Sequence, residues 1–211
     1  MAKSVSEDVK EIHCESHMEV ANPLGEEILL FHYATIKLIF SSASRNSFLL
    51  VCRLNIMKII QATSEIPGMT KEEVDRFLEM KLNLQLATID EQGWPNIHPV
   101  WFFYDKADER LLLTTGKLAK KTQNLREKPF VYFSIDDENS APKGVKGRGI
   151  VKIIEDPTKT VSAGDKMSIK YLGTLDHPVA MMITEGARKG EVVLIEISPK
   201  FFSTWDYSKA Q

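Results

Sequence analysis

Apolar and polar positions alternate with two different periods along this chain, and the change of period predicts its elements. Thr70-Lys71-Glu72-Glu73 is a capping-box sequence, in which a threonine side chain accepts from the amide three residues on and the glutamate reaches back. Met69 and Val74 occupy the flanking apolar positions, and Val74, Phe77, Leu78 and Lys81 follow at helical spacing, predicting an amphipathic helix over 71–81. Strand-like runs come next: Leu82–Ile89, Asn96–Tyr104, Arg110–Thr115, Phe130–Ile135, Gly144–Ile154 and Glu191–Ile197. Turn residues bound them, as in Asp90-Glu91-Gln92-Gly93, Asp105-Lys106-Ala107-Asp108 and Ser198-Pro199. Further helices are predicted over Leu118–Lys128, stopped by Pro129, from Pro157 to Tyr171 before Gly173, and over His177–Glu185 before Gly186. Five strands crowded between residues 82 and 154, with hairpin-length turns, predict an antiparallel sheet or small barrel rather than βαβ units.

The first 56 residues read differently. Residues 1–19 are polar and acidic, and the apolar runs at 28–40 and 48–60 carry His32, Lys37, Arg53 and Lys58. Neither run reaches the roughly 20 apolar residues of a spanning helix, and no basic-then-apolar leader opens the chain. No membrane association is expected, and a cytoplasmic setting is. His13, Cys14 and His17 have a spacing that metals accept, but a structural zinc takes four ligands and no fourth is local. No metal is expected. Residues 1–56 are taken as an N-terminal extension dispensable for the fold, with Met57 an alternative start, and residues 57–211 as the working domain.

Composition sharpens that division. The whole chain of 211 residues is 43% apolar and 27% charged with a formal charge of −2, an ordinary globular balance with no global cationic field for nucleic acid. Residues 1–56 hold one glycine, one proline and both cysteines, with five basic residues against seven acidic. The remainder is neutral, with twenty-two of each sign. Two cysteines make no disulfide framework, and neither lies in the organised part. No G-x-S-x-G or other nucleophile constellation is present.

The stretch richest in chemistry is Thr114-Thr115-Gly116-Lys117-Leu118-Ala119-Lys120-Lys121-Thr122. A strand ends in two hydroxyl residues, and a helix then opens among lysines with no acid from Arg110 to Arg126. Cations are disfavoured at the positive end of a helix, so their concentration there suits a bound anion. The competing reading is a solvated basic helix end, and spacing alone does not separate the two. No P-loop pattern is present.

The order of these elements carries a resemblance. A helix precedes L-A-T-x-D-x-x-G-x-P (Leu86 to Pro95), then x-P-V-W-F, then T-T-G-x-x-x-K-K-x-x-N-L-x-x-x-P, then the glycine-bearing strand Val145-Lys146-Gly147-Arg148-Gly149. This resembles the pyridoxamine-phosphate-oxidase-like flavin-binding split-barrel family from about Thr70 to Tyr207. The resemblance implies a mainly β (α+β) fold, a six-stranded antiparallel split barrel with flanking helices. It implies a homodimer with FMN at the subunit interface and hydride or electron transfer to a small-molecule substrate. The deazaflavin coenzyme F-420 is the alternative cofactor, and a non-catalytic flavin carrier or sensor the alternative role. Carried over by position, Lys120 and Lys121 match the phosphate-binding pair, Thr114 and Thr115 the strand end beside it, and His98, Pro99, Val100 and Trp101 the segment along the flavin ring. The true oxidase usually has arginine at position 98 and a C-terminal arginine- and histidine-bearing motif, where this chain has Phe201-Phe202-Ser203-Thr204-Trp205-Asp206-Tyr207. Oxidation of pyridoxamine phosphate is therefore not expected. Trp205 reads either as a cap on the core or as a pocket wall, Lys146 and Arg148 either as an exposed face or as cofactor contacts, and Met181-Met182 as core or interface filler.

Overall fold

The computed structural model describes residues 9–13, 35–39, 57–139 and 141–210. The chain divides between Ile56 and Met57. On the first side, β1 (Val9–His13) pairs antiparallel with β2 (Thr35–Ile39). Cys14, His17 and the side chain of His13 lie outside the described residues, as does most of the apolar runs at 28–40 and 48–60. Among the described residues no helix is long and apolar enough to cross a membrane.

On the second side the strands are β3 (Ile59–Gln61), β4 (Leu84–Ile89), β5 (Pro95–Val100), β6 (Phe103–Asp105), β7 (Arg110–Gly116), β8 (Phe130–Asp137), β9 (Lys143–Ile154) and β10 (Val192–Asp206). The helices are α1 (Lys71–Glu79), α2 (Lys120–Glu127), α3 (Pro157–Leu172) and α4 (Pro178–Arg188). Hydrogen bonding orders the strands β5-β4-β8-β9-β10-β7-β6, with β3 parallel to the end of β10. Every other pair in the sheet is antiparallel. The two ends of this path, β5 and β6, are separated along the chain by only Trp101 and Phe102. A sheet whose outermost strands are joined by two residues has to curl until its edges meet, and the result is a split barrel.

The barrel has more strands than the six expected. The expected strand Asn96–Tyr104 is interrupted at Trp101-Phe102, because its first half pairs with β4 and its second with β7. The last strand runs nine residues beyond Ile197, to Asp206. It passes Pro199 because the register with β9 shifts between Pro199 and Phe201, so the missing N–H falls at an irregularity. The three-residue β3 has too short a pattern to announce itself.

Helix α1 begins on its capping box: the Glu73 amide donates to Thr70 Oγ1 at 3.3 Å, and the Thr70 amide donates to Glu73 Oε2 at 2.7 Å. Val74, Phe77 and Leu78 face inward. Buried Asp75 ties α1 to β6, taking Lys71 Nζ at 2.5 Å and the Tyr104 hydroxyl at 3.2 Å. His177 is the N-cap of α4, its Nδ1 accepting from the Val179 amide at 3.1 Å. Helix α4 runs past Gly186 because a side chain there would meet Val192 Cγ2 at 2.7 Å, so the glycine lets helix and strand touch. Met181 and Met182 are exposed, which removes the reading of them as core.

The core fills the barrel with Leu84, Leu86, Phe102, Leu113, Phe133 and Phe202, all at most 2% exposed. Glycines on β9 make room for large side chains beside the strand. Gly144 lies under the Trp205 ring, so Trp205 packs against the β9–β10 ladder. At Gly147 a Cβ would press on the Phe201 carbonyl oxygen and sit 2.8 Å from Phe133 Cζ. Gly147→Val therefore overpacks a rigid site and is expected to lower stability by about 1–3 kcal/mol. Urea denaturation with an unchanged m-value would register this, and an unshifted midpoint would show that the ring gives way freely.

Candidate functional site

Strand β7 ends in Thr114-Thr115-Gly116, and α2 begins four residues later. Its N-cap is Ala119, which has no side chain to accept from the first turn, and that turn contains no acid. The Thr122 and Gln123 amides donate to the Ala119 carbonyl at 2.9 and 3.1 Å, which leaves the Lys120 and Lys121 amides open, among the described residues, at the positive end of the helix. Three buried polar side chains hold the helix there. Thr122 Oγ1 donates to the Gly116 carbonyl at 2.8 Å, Asn124 Nδ2 donates to Thr88 Oγ1 at 3.0 Å, and Thr88 Oγ1 donates to the Asn96 carbonyl at 3.4 Å. The junction is therefore tied to β7, β4 and β5 by groups that have no water to fall back on.

The cations around it separate into paired and unpaired. Lys117 and Arg126 share Glu155 at 2.6 and 2.7 Å, and Lys120 reaches Glu91 in the β4–β5 turn at 3.2 Å. Among the described residues Lys121 has no carboxylate partner. Its Nζ donates to Thr115 Oγ1 at 3.3 Å, and burial holds its pKa below the ordinary lysine value. His98, opposite Leu86 across the β4–β5 pair, has its Nε2 buried with no hydrogen-bond partner among the described residues. Burial and then the Lys121 charge hold the imidazole pKa below its ordinary 6.5. A buried nitrogen left unsatisfied costs on the order of 1–3 kcal/mol, which a ligand atom at that point would relieve.

A cleft of about 170 Å³ opens beside this corner, lined by Val100, Trp101, Thr114, Thr115, Lys121, Met167 and Ile183. The fold thus brings together Val100, Trp101, Thr114, Thr115 and Lys121 from among the residues expected on sequence grounds. Lys120 is turned toward Glu91 and does not line the cleft. Pro99 is exposed, alternating with the half-buried His98 and Val100, and lies outside the lining as well. Lys146 and Arg148 lie over the Trp205 and Phe201 rings at 6.0 and 5.6 Å from the centroids, and line neither this cleft nor the next. Trp205 lines neither.

Sequence reasoning missed the wall that α3 and α4 provide through Met167 and Ile183, because helical spacing marks an apolar position without saying what it faces. It also missed the Thr88–Asn124 tie, although a threonine and an asparagine at strand and helix positions otherwise apolar are a readable signal. A second cleft of about 410 Å³ lies across Trp101, lined by Lys81, Leu82, Asn83, Gln85, Asp136, Glu138 and Tyr171.

A profile described as pyridoxamine 5'-phosphate oxidase matches residues 70–206. No curated protein matches the chain. Among solved structures, a conserved hypothetical protein from Mycobacterium tuberculosis is 23% identical, with 70% of this chain and 90% of that one covered and a TM-score of 0.60. An F-420 reductase is 30% identical over 61% of this chain and 94% of its own, with a TM-score of 0.50. A FAD-binding protein from Mesorhizobium loti is 19% identical over 67% of this chain and 97% of its own, also at 0.50. The likeness to the first and third is one of fold.

The buried imidazole makes a pH signature. Because the folded His98 pKa lies below 6.5, the unfolded chain takes up its proton first as pH falls through 6.5. This group's contribution to stability is therefore complete above 6.5 and is lost below it, until the folded imidazole also protonates. The difference in unfolding free energy between the wild type and His98→Gln is expected to shrink or reverse on acidification. Parallel pH profiles of the two proteins would contradict it.

Proposed function

The chain belongs to the pyridoxamine 5'-phosphate oxidase family, and from that premise we propose that it binds FMN in the cleft beside α2 and acts as an oxidoreductase on a small-molecule substrate. The observation that carries this reading is the acid-free start of α2, with no side-chain cap, where among the described residues Lys121 has no carboxylate partner and the nearby His98 Nε2 no hydrogen-bond partner. Lys121, Thr115 and the open amides of α2 suit a phosphate, since hydrogen bonds to a charged group are the strong ones. Lys120 adds positive charge to the same end, offset by Glu91. Val100, Trp101, Met167 and Ile183 offer an apolar lining for a planar ring, with Thr114 adding a hydroxyl and Pro99 lying on the strand that leads to Trp101. When bound, the flavin supplies the hydride or electron transfer, and the protein's part is to hold and orient it and to keep water from it.

Pyridoxamine phosphate is not assigned as substrate, because the chain carries Phe201–Tyr207 where the true oxidase has its arginine- and histidine-bearing motif. A second reading takes the deazaflavin coenzyme F-420 as the cofactor, and the 30% identity to an F-420 reductase favours it. Association as a homodimer is part of the proposal. Ile97 and Phe130, each 64% exposed, share with Tyr132 and Ile150 the outer face of β5, β4, β8 and β9. An apolar face of this kind on a sheet is a natural seat for a second copy.

Titration of the purified protein with FMN, riboflavin and coenzyme F-420, followed by visible absorption, tests the assignment. FMN is expected to bind, and Lys121→Ala to weaken it about tenfold or more, as for one lost hydrogen bond to a charged group (~1.5–3 kcal/mol), while riboflavin is unaffected. If none of the three binds, the proposal fails; if only coenzyme F-420 binds, the second reading replaces the first. The dispensability of residues 1–56 belongs to the same proposal. A chain beginning at Met57 is expected to unfold cooperatively and to keep FMN affinity, and loss of either would assign the first 56 residues a working role.

A further inference from the structure

Among the described residues Trp101 is the one side chain that lines both clefts, and its orientation is set from outside the smaller one. The Tyr171 ring, near the end of α3, stacks on it at 4.7 Å between centroids with 4° between planes. The Tyr171 hydroxyl is in turn held at both of its hydrogen-bonding functions. It donates to the Leu82 carbonyl at 2.6 Å and accepts from the Phe102 amide at 3.2 Å. Burial pushes the Tyr171 pKa up to about 12, so the hydroxyl keeps the proton it donates. Next to it, Lys170 Nζ sits 3.7 Å from the Phe102 ring centroid and donates to the Leu78 carbonyl at 2.9 Å, tying α3 to the end of α1. Two parallel rings, one of them bolted to the backbone at Leu82 and Phe102, leave Trp101 little rotational freedom.

We propose that Tyr171 is a positioning residue for the cofactor ring: it fixes Trp101 as a rigid partition between the two clefts, so that a planar ring in the smaller cleft meets a preset wall. The inference rests on the cofactor reading above and adds a residue of α3 that does not itself line that cleft. A wall locked before binding saves the ligand the cost of ordering it, so its loss weakens ring binding whatever group the ring carries.

The test uses the full chain with Tyr171→Leu, Tyr171→Phe and Tyr171→Met, the last keeping bulk without a ring should the leucine variant not fold. Affinities for FMN and riboflavin are measured alongside near-ultraviolet circular dichroism, with Trp101→Phe assigning the Trp101 band. Tyr171→Leu is expected to weaken FMN and riboflavin by the same factor, about two- to tenfold, the worth of an aromatic pair, and to collapse the Trp101 band. Tyr171→Phe is expected to lower the melting midpoint, since the Phe102 amide and Leu82 carbonyl lose their partner, yet to keep the band and both affinities. A folded leucine or methionine variant with the band and both affinities intact would overturn the proposal. So would a loss confined to FMN, which would place the effect at the phosphate end. If the wild type binds neither flavin, the cofactor reading falls, and the circular dichroism series still decides whether Tyr171 sets Trp101.

Discussion

The edges of a curled sheet have to end somewhere, and here both end in the same stretch of chain. Between Val100 and Phe103 the backbone leaves β4 and joins β7, and for two residues it belongs to neither ladder. Phe102 is fully buried at this seam, so its amide cannot turn to water and needs a partner inside the protein. The Tyr171 hydroxyl meets that need, which obliges α3 to lie across the seam. With α3 come Met167 and the stacked ring beside Trp101, and therefore the shape of the cleft. The Asp75 cluster holds α1 on the other side of the same break. The candidate site is thus shaped by the closing of the barrel, because the helix that satisfies the closure also supplies Met167 to the cleft wall.

Much of this was legible because periodicity survives where hydrogen bonding does not. From Asn96 to Tyr104 the even-numbered residues remain the more buried across the interruption, so pattern alone reads one strand. What changes at Trp101 is the partner strand, and a periodicity in one segment contains no record of its partner. The capping box at Thr70, the stop at Pro129 and the left-handed Gly173 after α3 are local chemistry, and local chemistry is what a sequence states outright. The continuation of β10 through Pro199 ran against a local rule, and only the register shift with β9, a pairwise property, permits it.

The candidate site shows the same division between local and pairwise information. Four basic residues crowd the region from Lys117 to Arg126, with Lys121 among them, and no acid lies between Arg110 and Arg126. The fold brings Glu91 and Glu155 to Lys120, Lys117 and Arg126 from other segments. That selective neutralisation converts a diffuse basic stretch into one ammonium facing a cleft. Of the positions carried by resemblance, Val100, Trp101, Thr114, Thr115 and Lys121 line the cleft at this corner, and His98, Pro99 and Lys120 stand outside its lining.

The long strand β10 bonds to β3, β7 and β9, and so occupies the middle of the sheet while coming last among its strands in the chain. A ribosome releases the chain from its N-terminal side, so each strand that β10 will join is exposed before β10 exists. Until β10 has emerged, β7 is paired only with β6 and β9 has one open edge, on a chain rich in apolar strands. Completion of the barrel is in that sense a single late event, with contacts between residues as distant as Ile59 and Phe202 made together. Synthesis of this protein therefore passes through a stage in which nascent hairpins need shelter from one another, a burden set by the order of its strands.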